Sequence, residues 1–299
     1  MTTPAPAAPA HAPARTPSPR AWAVRTGLRR GLAEFRHMLR NPEDIGWNVV
    51  VGVALLVYLV TQRDVVVPGS GGLTLPALAL PGLLAAVVLF GMVMGPAFAL
   101  SAEIDDGTVL RMRTLPRGTT TYTVGVVVGQ VLGALPMFVI LLVPWPFLLG
   151  DPVHGGAGGW LAVVGWIALG TLATLPVGIV GGALAGRPTR VMLFVMAPVV
   201  ALGFVSGVFG AQTIPSWAAG PVQAFPLYWL AHGLRSSTLP PGAEALEVGG
   251  AWHPGLAMLV LAAWAVVGLV AAPAVLRRTH ARQTASALAD RVSALLLRG

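Results

Sequence analysis

Charge in this 299-residue chain gathers in one short stretch, Glu103-Ile-Asp-Asp-Gly-Thr-Val-Leu-Arg-Met-Arg-Thr-Leu-Pro-Arg117, between two long apolar runs. Three acids and three arginines stand there, far more than a connector between membrane spans needs in order to turn. The stretch also has an apolar pattern of its own. Val109, Met112 and Leu115, or Leu110, Met112 and Leu115, fall on one face of a short helix that Gly107 precedes and Pro116 stops. A short amphipathic helix held at a membrane surface suits docking to a soluble partner.

Residues for bond-making chemistry are missing. A phosphate-binding P-loop needs a lysine to reach the β- and γ-phosphates, and the chain contains none. Gly181 to Gly186, followed by Arg187-Pro188, imitates such a loop but closes an apolar run, so it reads as packing sequence. The six histidines, at 11, 37, 154, 232, 253 and 280, show no metal-ligand spacing, and there is no cysteine. No Gly-x-Ser-x-Gly elbow or intramembrane acid pair supports hydrolysis. The expectation is a chain with no catalytic residue, no metal and no cofactor of its own.

The composition is that of a polytopic membrane protein. Hydrophobic residues make up 55% and charged residues 10%, against roughly 25% charged in a soluble domain; mean hydropathy is +0.76. Residues 1–21, rich in Pro, Ala and Thr, read as a disordered tail and not as a signal peptide. Residues 22–42 are a basic amphipathic segment with Val24, Leu28, Leu32, Phe35 and Leu39 on one face, suited to the membrane interface, and Asn41-Pro42 ends it. Six spans follow, at about 45–62, 79–101, 122–148, 159–185, 191–210 and 254–276, each near the ~20 residues a bilayer requires. Residues 211–252 are too broken to span and too apolar for a free loop, which points to interfacial or re-entrant helices on the outside. Residues 277–299 form an amphipathic tail.

Arginine placement sets the expected orientation. Residues 15–40 hold seven arginines, 111–117 three, 187–190 two and the tail five, so 17 of 19 fall on one side of the alternating map. Only Arg63 and Arg235 fall on the other. Basic residues near span ends favour the cytoplasm, so both termini and the Glu103 loop are expected inside, in the cell membrane. This distribution also accounts for the net charge of +8 without a nucleic-acid partner. As drawn, the spans contain no Asp, Glu, Arg or His, which argues against an ion-coupled transporter. Gln130, Thr171, Thr174 and Ser206 are the modestly polar candidates for a substrate path; each also suits a helix-packing hydrogen bond. Gly125, Gly129 and Gly133, and again Gly178, Gly182 and Gly186, form small-residue ladders that let helices approach closely, within the subunit or between subunits.

Four landmarks in order resemble the membrane subunits of ABC-2 type exporters, including those for daunorubicin-like drugs and related antibiotics. They are Met38-Leu-Arg-Asn-Pro42; Glu103-x-x-x-Gly107-Thr with Arg113 and Pro116; Ser206-Gly-Val-Phe209 through Ile214-Pro-Ser-Trp217, Phe225-Pro-Leu-Tyr-Trp229 and Gly233-Leu-Arg235; and Trp264 with Arg277-Arg278. The resemblance covers about residues 25 to 280. It implies an all-α, six-span permease that pairs with a second copy or a related permease and with separate ATP-binding cassette subunits, where ATP and Mg²⁺ would bind. It further implies efflux of a small amphiphilic compound and a role in antibiotic resistance, with the first loop as coupling helix. Glu103, Gly107, Leu110, Arg111, Arg113, Leu115 and Pro116 would make that contact. Gly210-Ala-Gln-Thr213 departs from the family's more apolar run. Two other classes fit less of the chain: an autonomous secondary transporter or channel, and a structural subunit of a membrane complex.

Overall fold

The computed structural model describes residues 18–108, 118–151, 153–205 and 216–296, without the side chains of 119, 216–219, 277 and 280–296. Within them the regular structure is helical, apart from one isolated β-bridge between Val66 and Thr74. We number the helices α1 (Pro19–Arg40), α2 (Pro42–Thr61), α3 (Leu75–Asp105, with a π turn at Phe90–Met94) and α4 (Gly118–Leu142). Then come α5 (Gly156–Ala185), α6 (Pro188–Val205, with a π turn at Met192–Met196), α7 (Ser216–Gln223), α8 (Pro226–Thr238) and α9 (Pro254–Leu296).

Six of these, α2, α3, α4, α5, α6 and the first part of α9, are long and apolar enough to cross a membrane. The chain is thus an all-α multi-pass membrane protein. Helices α3 and α5 form its centre, about half buried inside the protein at 56% and 50%, whereas α2 and α6 are at 17%. The outward faces of the peripheral helices carry bare apolar side chains such as Val50, Val57, Leu193, Phe194, Val267 and Val270, as lipid-facing surfaces do.

Glycines set the close packing. A Cβ on Gly178 would stand 2.4 Å from the Val93 carbonyl, and one on Gly182 would stand 2.5 Å from that of Ala97, so the α5 ladder seats α3. The α4 ladder seats α1: Gly125 faces Arg30, Gly129 faces Glu34 and Gly133 faces Met38. The facing glycines of α1, Gly27 and Gly31, lie against Val124 and Val128. Both ladders are therefore used inside the subunit. The rising register shows α1 and α4 running in the same direction, in contact over several turns. The packed face of α1 is the small one, Ala23, Gly27 and Gly31, while Val24, Leu28, Leu32 and Leu39 are exposed.

The third span keeps its expected extent to Leu148 and kinks after Leu142, where Pro144 starts a separate turn at Trp145–Leu148. The last helix runs unbroken through Arg277-Arg278 to Leu296, since nothing after Pro273 interrupts it. Between α6 and α9, α8 is a buried helix, packed on α3, α5 and α9. A Cβ on Gly233 would stand 2.5 Å from the Trp166 indole, and the indole Nε1 of Trp166 donates to Ser237 Oγ at 3.1 Å.

Candidate functional site

Three helices meet at one ion pair on the side where α3 ends and α4 begins. Glu103 sits in the last turns of α3, and Arg30 Nη2 donates to its Oε1 at 2.8 Å. Both side chains are about a quarter exposed, so water screens the pair only partly. The Arg30 guanidinium also lies over the buried Tyr122 ring of α4, 4.9 Å from its centroid. Arg30 Nη1, Glu103 Oε2, Thr121 Oγ1 and the Tyr122 hydroxyl are buried with no well-formed hydrogen bond among the described residues. Buried polar atoms are rarely left so, and Glu103 on one side and Thr121 and Tyr122 on the other flank the 109–117 segment in sequence.

Beyond Glu103, each residue has a local task. Asp106 Oδ1 accepts the Thr108 amide at 2.8 Å. Gly107 ends α3 in the left-handed region, φ +77°, where a Cβ would be strained. Asp105 pairs with Arg187 at 3.3 Å across exposed surface, a contact worth about 0–1 kcal/mol. Of the predicted docking residues, Glu103 and Gly107 belong to this junction. Leu110, Arg111, Arg113, Leu115 and Pro116 lie outside the described residues.

The predicted substrate-path residues do not converge. Gln130 lines a half-open cavity of about 820 Å³ bordered by α1, α2, α3 and α4. Thr174 is buried and its hydroxyl donates to the Gly170 carbonyl at 2.7 Å, a helix-internal bond. Thr171 lies three residues away on α5, outside that cavity. Ser206 lies outside the described residues.

At the opposite end, the structure assembles a site that the sequence did not announce. Glu247, in the turn before α9, has a side chain only 4% exposed and takes the guanidinium Nε of Arg235 from α8. Its Oε2 lies 2.9 Å from His232 Nδ1 and 3.4 Å from the Tyr228 hydroxyl. The His253 amide, which can only donate, points at His232 Nε2 at 3.0 Å, so the ring gives its Nδ1 proton to Glu247. Burial alone would push the Glu247 carboxyl up. The bond from His232 and the charge and bonds of Arg235 outweigh it and hold the pKa at about 2. Trp229 and Trp252 pack edge-on to the His232 ring. Only a fold that turns the chain back over α8 brings these partners together, 12 to 21 residues apart in sequence. Among the described residues, no group of acids and histidines suits a metal ion.

Six apolar spans and two glycine-seated helix pairs define a multi-pass membrane protein. The model of the ABC-2 type transporter family matches residues 32–239, more than half of the chain, and the chain belongs to that family. Comparison with curated proteins gives no match.

Proposed function

We propose that this chain is the permease of an ATP-driven exporter that moves a small amphiphilic compound out of the cell by alternating access. Two permease subunits, identical or related, would rock between access states as separate ATP-binding subunits close on ATP and Mg²⁺. The loop 103–117 would carry that motion into the membrane. The observation behind this reading is the family match together with the Arg30–Glu103–Tyr122 junction. The junction joins α1, α3 and α4 at both ends of the loop, so a push on the loop would move three helices as one. Its polar atoms that lack a partner among the described residues leave hydrogen-bonding capacity for a second arrangement.

The test is assembly and activity with the ATP-binding subunit. The purified chain alone should show no ATPase activity above background. Burying one leucine contributes roughly 1.5–3 kcal/mol, against about 0–1 kcal/mol for a surface ion pair. Leu115→Asp should therefore strip the partner during purification and abolish transport at unchanged membrane abundance, while Arg111→Ala has the smaller effect. Retention of both partner and transport in Leu115→Asp would reduce the loop to a connector.

A further inference from the structure

The cavity between α1, α2, α3 and α4 is lined by a carboxylate that the packing does not explain. Its volume of about 820 Å³ is that of a site for a drug-sized molecule. Its walls are apolar and aromatic, with Phe35, Trp47, Phe90, Met137 and Leu141 among the lining side chains, and Asn48 and Gln130 supply neutral polar groups.

Its titratable lining groups are two carboxylates and His37, with no arginine. Helix α1 carries six arginines, at 20, 25, 29, 30, 36 and 40, yet none lines the cavity. The lining carboxylates are Glu34 and Asp44. Asp44 has structural work: it stands in the first turn of α2 and accepts from Asn41 Nδ2 at 2.8 Å. Glu34 has none of that kind, since it makes no hydrogen bond and no ion pair among the described residues. Partial burial pushes the Glu34 carboxyl up; the charge of Arg30, one turn back on the same helix and itself bonded to Glu103, opposes this, and the Glu103 charge adds to the rise. The Glu34 carboxylate rests in the notch of Gly129, its Oε2 3.0 Å from where a Cβ would stand, and that places it in the cavity wall. An exposed carboxylate held against a glycine at the rim of a half-open, aromatic-lined cavity complements a positive charge on an apolar body.

We propose that this cavity binds a small organic cation with an aromatic or aliphatic body, and that Glu34 sets its preference for positive charge. That the bound cation is cargo rests on the exporter reading above; the binding does not. The experiment uses the full chain in nanodiscs of neutral phosphatidylcholine, with empty nanodiscs as background. The probes are tetraphenylphosphonium and its anionic counterpart of the same shape, tetraphenylborate. The phosphonium should bind saturably and the borate at least about tenfold more weakly, and Glu34→Gln should weaken the phosphonium about tenfold and erase the preference. Location is read separately, because the chain has no cysteine of its own. Phosphonium should slow alkylation of Asn48→Cys and leave that of His154→Cys, at the far end, unchanged.

Equal binding of the two probes, an unchanged preference in Glu34→Gln, uptake no greater than by empty nanodiscs, or no protection of Asn48→Cys would each overturn the proposal. Failure of the ATP-binding subunit to co-purify, with cation binding intact, would instead overturn the exporter reading and leave the cavity assignment standing.

Discussion

At the scale of single residues, the most constrained group is Glu247. It is ionised, nearly enclosed, and bonded by Arg235 and His232. Removing one member of a buried ion pair strands the other, which costs about 3–5 kcal/mol. Glu247→Gln should therefore lower the melting temperature of the purified protein by several degrees, whereas Glu244→Gln, whose carboxylate only accepts the Gly242 amide at an exposed turn, should change it little. The pH dependence has a definite sign. The carboxyl is held at about 2 in the folded protein, below its ordinary value of 4.5. Its stabilisation is thus fully present above the ordinary carboxylate range and is lost as pH falls through that range towards 2. Melting curves at successively lower pH should show the gap between wild type and Glu247→Gln constant from pH 8 to 6 and closing below about pH 4. A gap that closed at neutral pH would contradict the assigned network. In the sequence, Glu247 was only an acid in a Pro/Gly-flanked turn. Its partners become visible once α8 is known to be buried beneath that turn.

At the scale of elements, periodicity exposed the amphipathic character of α1 but pointed to its large apolar side chains. The contact with α4 is instead made by Ala23, Gly27 and Gly31, small residues that carry little signal in a hydropathy pattern. The ladder at Gly125, Gly129 and Gly133 was legible as a place of close approach; which helix approached it was not. The consequence is a reversal of the usual expectation for substitutions. A Cβ on Gly31 would lie 2.7 Å from that of Val128 and 2.8 Å from the Gly125 carbonyl, with rigid groups on both sides. Gly31→Val should destabilise the protein by about 1–3 kcal/mol through overpacking. Leu28→Ala, on the exposed face, should leave thermal stability in detergent nearly unchanged although it removes the larger side chain. Should Leu28→Ala prove the more damaging, the face assigned to the contact would be wrong.

For the whole molecule, the six spans were legible because a bilayer imposes one simple demand: about twenty apolar residues with the backbone satisfied internally. That demand is local in sequence, so hydropathy alone finds the helices, whereas the cavity and the Glu247 network depend on contacts between segments far apart. Orientation lies between these cases, because it follows from a sum over the chain. With 17 of 19 arginines assigned to one side, moving a single span boundary by a few residues does not alter the balance. The structure supplies suitable probe positions: His154 and Ala245 are exposed at one end, and Thr189 is exposed and Thr108 partly so at the other. In intact cells, an impermeant maleimide should label His154→Cys and Ala245→Cys, and should reach Thr108→Cys and Thr189→Cys only after the membrane is opened. The four sites test the map jointly, since α4, α5 and α6 each separate a site of one pair from a site of the other. Labelling of Thr108→Cys from outside would place the Glu103 junction on the wrong face for any ATP-binding partner. The coupling proposal would then fall with the topology, while the packing of α1 on α4 and the cavity they border would stand.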